Sequence, residues 1–122
     1  MLDDNKNERN HSIETIKPEE DKDNGKEITL IDEICFSWGF SYKREMVSII
    51  GKDLSKLGYT VIINHWADRL KIGTYKIYIE LEGKQVLLFS GNELDRTDKV
   101  IVSKHSNHVK PDLIERILNY VK

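Results

Sequence analysis

The spacing of apolar residues predicts a strand–helix–strand unit in the middle of the chain. Residues 27–35 form a β-branched and apolar run, which is typical of a strand and ends at Cys35. After a loop at residues 36–40, apolar residues recur at the three- and four-residue spacing of one helix face, over about four turns. These residues are Val47, Ile50, Leu54 and Leu57. Gly58 then suits the left-handed position after a helix, and residues 59–63 have the composition of a second strand.

The second half of the chain predicts a hairpin and a closing helix. Residues 75–81 alternate between apolar and polar side chains, and a glycine turn at 82–84 leads to a partner strand at 85–90. The apolar triplet at 100–102 fits either a short edge strand or the anchor of a loop. Pro111 suits the first turn of a terminal helix, whose apolar face comprises Leu113, Ile114, Ile117, Leu118 and Val121. The predicted order is β-α-β-β-β-α, an α+β fold with a small mixed sheet and two helices.

The N-terminal segment differs in composition from the rest of the chain. Residues 1–26 hold eight acidic and five basic residues but few aliphatic ones, so we expect a disordered polar tail. The remaining residues, 27–122, are close to neutral and carry the predicted elements. A chain of 122 residues is long enough for one domain and too short for two independent cores.

Composition argues against several classes of protein. A net charge of -2 and a pI near 6.1 disfavour a general nucleic-acid binder, which would carry a basic face. No apolar run approaches the roughly 20 residues of a spanning helix, and no secretory signal is visible after Met1. We therefore expect a cytoplasmic protein without a membrane span. The single cysteine excludes an internal disulfide.

Cys35 is the residue whose position indicates chemistry. It lies where the first predicted strand ends and the predicted helix follows. Free N–H groups and the positive end of the dipole at a helix N-terminus stabilise a thiolate over a thiol, and Lys43 and Arg44 could add to this effect. Because a thiolate attacks disulfides and peroxides, this position favours redox chemistry.

The loop around Cys35 resembles the signature of the selenoprotein W/T/H (Rdx) family, in which Cys-x-x-selenocysteine is followed by glycine and an aromatic residue. The matching positions are Ile34, Cys35, Ser37, Gly39 and Phe40. A second stretch, residues 73–90, resembles that family's strand, glycine turn and following strand. Together the two stretches extend the resemblance over roughly residues 28–122, at the spacing of the compact selenoprotein W type.

Trp38 is the departure from this signature, because relatives have selenocysteine or a second cysteine at that position. Selenocysteine is encoded by UGA, a codon that is also read as tryptophan in some genetic codes and conceptual translations. Trp38 is then either a genuine tryptophan that covers the loop or a stand-in for selenocysteine. Both interpretations stay open at the level of the sequence.

The resemblance implies a thioredoxin-like fold and a redox role in which Cys35 acts as nucleophile or resolving thiol and position 38 is the second centre. Phe36, Ser37, Gly39 and Phe40 would support the loop. The implied partners are glutathione or thioredoxin-system proteins, with no metal and no resident cofactor. The alternative is a non-catalytic interaction module on the same fold, whose exposed aromatic patch in the Cys35 loop would bind a protein partner.

Histidines are the remaining candidates for chemistry. His65 belongs to a polar cluster after the second predicted strand, together with Trp66, Asp68 and Arg69. We expect this cluster at the end of the sheet opposite the Cys35 loop, without contact to it. His105 and His108 have i, i+3 spacing but no further ligands nearby in sequence, so we interpret them as solvated loop residues rather than a metal pair.

Overall fold

The computed structural model describes residues 9–35, 45–68, 74–92, 101–103 and 108–121, and the structural statements below refer to these residues. They form a mixed α+β fold with a five-stranded mixed sheet and two helices. The sheet strands are β1 (Arg9–Ile16), β2 (Glu27–Cys35), β3 (Thr60–Asp68), β4 (Thr74–Leu81) and β5 (Lys84–Asn92), and the helices are α1 (Glu45–Lys56) and α2 (Pro111–Tyr120). A short 3-10 helix (Glu20–Lys22) follows β1.

The order of strands across the sheet is β1-β3-β2-β4-β5. β2 and β3 are parallel, and α1 connects them, whereas every other neighbouring pair is antiparallel. The β4–β5 hairpin turns at Glu82 and Gly83, both with positive φ (51° and 82°), which is the geometry of a two-residue type I′ turn. The predicted α+β class is therefore confirmed, together with its strand–helix–strand unit, hairpin and terminal helix.

One face of the sheet is covered by both helices, and we call it the covered face. Inward-pointing residues of the inner strands and the apolar stripes of α1 and α2 form one hydrophobic core. Its most deeply buried members, with at most 2% of their surface exposed, include Leu30, Ile50, Leu54, Ile63, Ile77, Ile79 and Ile117. The opposite side of the sheet, which we call the open face, keeps residues such as Ile13 and Leu87 63% and 45% exposed.

The outer strand β5 is irregular where it pairs with β4. The register shifts between Ile77 and Tyr78, so that Ile77 pairs with Phe89 and Tyr78 with Leu87, which leaves Leu88 as the extra residue of a bulge. The guanidinium of Arg116 on α2 donates a hydrogen bond to the carbonyl oxygen of Leu88 at 3.3 Å. The terminal helix thus occupies a backbone acceptor of the outermost strand.

The N-terminal segment is more ordered than its composition predicts. β1 is a full strand at the edge of the sheet, and Ile16 packs against the core. Further along, the backbone N–H of Asn24 donates to the carbonyl of Gly58, and the N–H of Thr60 donates to that of Lys26. The expectation of a disordered tail over residues 1–26 therefore differs from the structure between residues 9 and 26, because pairing with β3 satisfies backbone groups that the segment could not satisfy alone.

The last predicted strand belongs to a separate pair. Of the triplet at 100–102, Ile101 and Val102 lie in β6 (Ile101–Ser103), which pairs with β7 (His108–Val109) in a two-stranded sheet. The backbone N–H of Val109 donates to a carboxylate oxygen of Asp53 on α1 at 2.8 Å. This small sheet is therefore attached to α1 and is not an edge of the main sheet.

Candidate functional site

Cys35 is the last residue of β2, and its backbone is paired with Asp68 of the parallel strand β3. The structure describes the chain again from residue 45, the first residue of α1. The structure thus places Cys35 at the carboxyl edge of the parallel pair, on the segment that leads into the crossover helix, as the sequence predicts. In sheets that contain parallel strands, this edge is where ligands and reactive residues commonly meet.

The rest of the predicted Cys35 loop lies outside the described residues. This applies to the supporting residues Phe36, Ser37, Gly39 and Phe40, to Trp38 at the selenocysteine position, and to the basic residues Lys43 and Arg44. Their roles stay predictions.

The end of β3 lies at the same edge of the sheet as Cys35, which corrects our expectation that the two would lie at opposite ends. The parallel register pairs Asp32 with His65 and Cys35 with Asp68, so both strands run toward the same edge. The expected polar cluster is not a loop either, because β3 continues through His65 to Asp68. Neighbouring residues of a strand point to opposite faces of the sheet, so two members of this cluster do not lie together. His65 lies on the covered face and Trp66 on the open face. Arg69 lies outside the described residues.

His65 lies between two carboxylates beneath α1. Its Nδ1 is 2.7 Å from Oδ1 of Asp32 on β2, and its Nε2 is 2.9 Å from Oε1 of Glu14 on β1. Asp32 is 0% exposed and His65 is 8% exposed, whereas the side chain of Glu14 keeps 37% of its surface in contact with solvent. We call Glu14, His65 and Asp32 the histidine bridge, since they link three neighbouring strands.

Two further side chains join this polar network. The hydroxyl of Ser48 on α1 donates to Oε1 of Glu14 at 2.8 Å, and the hydroxyl of Tyr75 on β4 donates to Oδ2 of Asp32 at 3.4 Å. Within the described residues, no buried side-chain nitrogen or oxygen lacks a hydrogen-bond partner. The network is therefore a satisfied polar layer inside an otherwise apolar core.

The geometry of the histidine bridge fits a protonated ring between two ionised carboxylates. Ionised carboxylates only accept hydrogen bonds, so a ring with a carboxylate oxygen at each nitrogen satisfies both contacts as an imidazolium that donates from Nδ1 and Nε2. At Glu14, partial burial raises the pKa of the carboxyl, but hydrogen bonds from His65 and Ser48 and the charges of His65 and Lys52 outweigh it and lower the pKa. Glu14 therefore presents a negative charge to the ring.

Strand alternation explains how these residues come together. Asp32 interrupts an apolar run at a position that points toward the core, and its parallel partner in the register is His65. Ser12 pairs with His65 across the β1–β3 ladder, which places Glu14, two residues further on the same face, diagonally within reach. Sequence reasoning missed this site because Glu14 was assigned to a disordered tail. The available signal was Asp32, a carboxylate at an inward position that needs a buried partner.

The open face carries a second, solvent-facing cluster on the same strands. The rings of His11 and Trp66 stack with their centroids 4.0 Å apart, and Nε2 of His11 lies 3.0 Å from the amide oxygen of Asn64. Nearby, the hydroxyl of Tyr78 donates to a carboxylate oxygen of Glu33 at 3.2 Å.

Over residues 9–35, 45–68, 74–92, 101–103 and 108–121, no group of three or more His, Cys, Asp and Glu residues is arranged to hold a metal ion. In the histidine bridge, both ring nitrogens of His65 already face carboxylate oxygens. Of the spaced pair, His105 lies outside the described residues, and the backbone of His108 forms part of β7.

Comparison with known proteins gives no assignment, since no family model, no curated protein and no solved structure matches this chain significantly. Neither helix in the described part of the chain is long and apolar enough to span a bilayer.

Proposed function

We propose that this protein is a thiol redox protein with a thioredoxin-like fold, related to the selenoprotein W/T/H (Rdx) family. The resemblance of residues 34–40 and 73–90 to that family's motifs is the sequence support. The topology agrees with it: without β1, the sheet order is β3-β2-β4-β5, with a parallel strand–helix–strand unit beside an antiparallel hairpin and a closing helix. This is the arrangement that the resemblance implies.

The observation that carries the proposal is the position of Cys35. It ends a central strand at the carboxyl edge of the parallel pair, and the chain then leads into α1. We expect this thiol to lie toward the N-terminal end of the helix, where backbone N–H groups favour the thiolate. Cys35 is the only cysteine, so within this chain it is the only thiol that can react.

The proposed chemistry depends on residue 38. With tryptophan there, the Cys35 thiolate attacks glutathione disulfide, forms a protein–glutathione mixed disulfide and releases glutathione thiolate; the thiolate of an external substrate then attacks the glutathione sulfur, takes glutathione as a new mixed disulfide and releases the Cys35 thiolate. With selenocysteine there, the selenol reduces an oxidised substrate and Cys35 resolves the product as a selenenyl sulfide, which glutathione or a thioredoxin system reduces. Such reductants fit a cytoplasmic location.

A thiol titration tests the proposal. We expect the rate of Cys35 alkylation to rise with a midpoint clearly below about 8.5, the value of an unperturbed thiol, and mass spectrometry to show glutathionylation of the native protein after treatment with glutathione disulfide. Cys35→Ser is the control for adduct position, and the urea-unfolded protein gives the reference midpoint. A native midpoint at or above that reference contradicts a redox role.

The codon of residue 38 separates the two routes. A UGG codon establishes the one-thiol route, whereas UGA with a selenocysteine insertion element downstream supports the selenol route. If UGG is found, replacing Trp38 with cysteine is expected to allow an internal disulfide with Cys35, detectable as the loss of two titratable thiols under mild oxidation.

The alternative function, a non-catalytic interaction module, is supported by the open face. A row of partnered positions crosses all five strands there, with Ile13, Asn64, Ile31, Tyr78 and Leu87 in register. Both ends of this row are exposed large apolar residues, Ile13 and Leu87. An unreactive Cys35 in the titration above would leave this function as the one to pursue.

A further inference from the structure

β1 is attached to the rest of the fold differently from the inner strands. β2, β3 and β4 each contribute to the core several side chains with at most 5% of their surface exposed to solvent. β1 contributes only the partly buried Ile16. Ile16 reaches over Gly51 of α1, where its Cδ1 lies 2.8 Å from the position that a Cβ would take. The other apolar residue of β1, Ile13, is 63% exposed on the open face. β1 is therefore attached by its backbone pairing with β3, by the apolar side chain of Ile16 and, to a large extent, by polar side-chain contacts.

On the covered face those polar contacts converge on Glu14, whereas on the open face His11 contacts Asn64 and stacks on Trp66. Oε1 of Glu14 accepts from Ser48 of α1 and from Nε2 of His65 on β3, at 2.8 and 2.9 Å. Hydrogen bonds that involve charged groups are shorter and about twice as strong as neutral ones. The side chain of Glu14 thereby joins the edge strand to the sheet and to the helix above it.

We propose that β1 is a releasable strap and that the protonation of His65 locks it onto the sheet. This inference concerns the N-terminal strand and goes beyond the redox function proposed for Cys35. Among the described residues, the titratable or charged groups that face the bridge are Glu14 from β1, Asp32 from β2, Tyr75 from β4 and Lys52 from α1. His65 is the member of this set whose free side chain titrates nearest neutral pH.

Loss of one proton from His65 affects the two carboxylates unequally. A neutral ring keeps one N–H, so one carboxylate then faces a lone pair instead of a donor. Asp32 is 0% exposed and has no water to replace the donor, whereas the side chain of Glu14 is 37% exposed and can turn to solvent. The remaining N–H therefore stays on Nδ1 toward Asp32, and the contact between Nε2 and Glu14 breaks. Release of β1 would uncover the backbone N–H and C=O groups along the outer edge of β3.

Hydrogen exchange of the full chain, followed by mass spectrometry from pH 5.5 to 9 and corrected for intrinsic exchange rates, tests the proposal. We expect the protection of residues 9–16 to fall by about tenfold or more as pH rises through the titration of His65, while β4 and β5 keep theirs. In Glu14→Gln, protection of β1 should already be about tenfold lower at pH 6, and its dependence on pH should be lost.

Matched variants separate the lock from other causes. Ile16→Ala weakens the apolar anchor and should lower β1 protection at every pH while preserving the pH dependence. His11→Gln and Cys35→Ser replace a further histidine, on β1, and the thiol of β2, and both variants should preserve the pH dependence too. Glu19→Gln, which removes an exposed pair with Lys22, should match the wild type.

The charge state of His65 gives a second readout. Nitrogen-15 NMR of the imidazole should show both ring nitrogens protonated at pH 7 in the wild type, and loss of the second proton over the same pH range as the loss of β1 protection. A neutral ring at pH 6, or β1 protection that follows the inner strands over the whole range in both the wild type and Glu14→Gln, would overturn the proposal.

Discussion

The two faces of the sheet are formed by the same strands but differ in how their polar side chains are partnered and exposed to solvent. On the covered face, His65 is held by two carboxylates, and both His65 and Asp32 have almost no contact with solvent. On the open face, His11 is exposed to solvent, stacks on Trp66 and contacts the amide of Asn64. His65 and Trp66 are adjacent residues of one strand, but a charged side chain loses much more hydration free energy on the face of His65 than on the face of Trp66.

The contrast between the faces shows on which side of the sheet a substitution of a charged residue should destabilise the fold most. A charge beneath the helices is tolerated only because its partners are present, so each member of the histidine bridge depends on the others. A charge on the open face can exchange its protein contact for water at small cost. Substitutions at neighbouring positions of one strand, whose side chains point to the two faces, measure this difference directly.

The largest effect is expected for Asp32→Asn. The change preserves the shape of the side chain but removes the buried negative charge opposite His65, and breaking a buried ion pair in this way costs about 3–5 kcal/mol. Urea unfolding should show this loss, whereas Glu33→Gln, one residue further on the open face, should cost less than about 1 kcal/mol. Equal losses in the two variants would mean that the bridge carries no special stabilisation.

A similar comparison applies to apolar residues. Ile63 is 0% exposed in the core, whereas its neighbour Ile62 is half-buried on the open face. Ile63→Ala is expected to lower the free energy of unfolding by about 2–5 kcal/mol through lost burial and a residual cavity. Ile62→Ala should lower it by roughly half as much or less. The same denaturation experiment measures both, and a larger loss at Ile62 would show that the open face is covered in solution.

A smaller effect is expected at the aromatic pair on the open face. His11→Ala removes the ring that stacks on Trp66 and its contact with Asn64, which should cost about 0.5–1.5 kcal/mol. Tryptophan fluorescence should change at the same time, because the ring above Trp66 is lost. Thr15→Ala, at an exposed position of the same strand and face, serves as the control and should leave the fluorescence unchanged.

The smallest effect is the contribution of Glu14 to acid stability. Its pKa is lowered in the folded protein, so Glu14 stabilises the fold above the pKa it has when unfolded, and this contribution is lost as pH falls through the folded pKa. The stability difference between wild type and Glu14→Gln should therefore be present at pH 6 and shrink below about pH 4.5. Urea midpoints measured over this range give the difference, and one that grows toward low pH would contradict the sign.

The sequence predicted elements well where an apolar pattern dominates. The bounds of β2 are those expected from its β-branched run, and the hairpin and α2 follow from alternation and from Pro111. β3 extends past the predicted residues 59–63 because its polar second half pairs on both sides, with β1 and with β2. Such pairing is a long-range property that a local pattern does not contain.

The candidate site was only partly predictable for the same reason. The position of Cys35 at the end of a strand could be inferred from local pattern. The histidine bridge could not, since its three members come from positions 14, 32 and 65 and meet only through the register of three strands. An acidic residue in a polar segment, such as Glu14, has no local signal that it contacts a buried ring.

The bulge at Leu88 and its contact with Arg116 have a consequence for self-association. An outermost strand with free carbonyl groups is a template on which the sheet of another molecule can continue, and this is a common route to aggregation. On β5, the extra residue interrupts the regular ladder, and the guanidinium on α2 occupies the Leu88 carbonyl. Arg116→Ala would free that acceptor, so light scattering on gentle heating should show aggregation at a lower temperature, even if the folded monomer is equally stable.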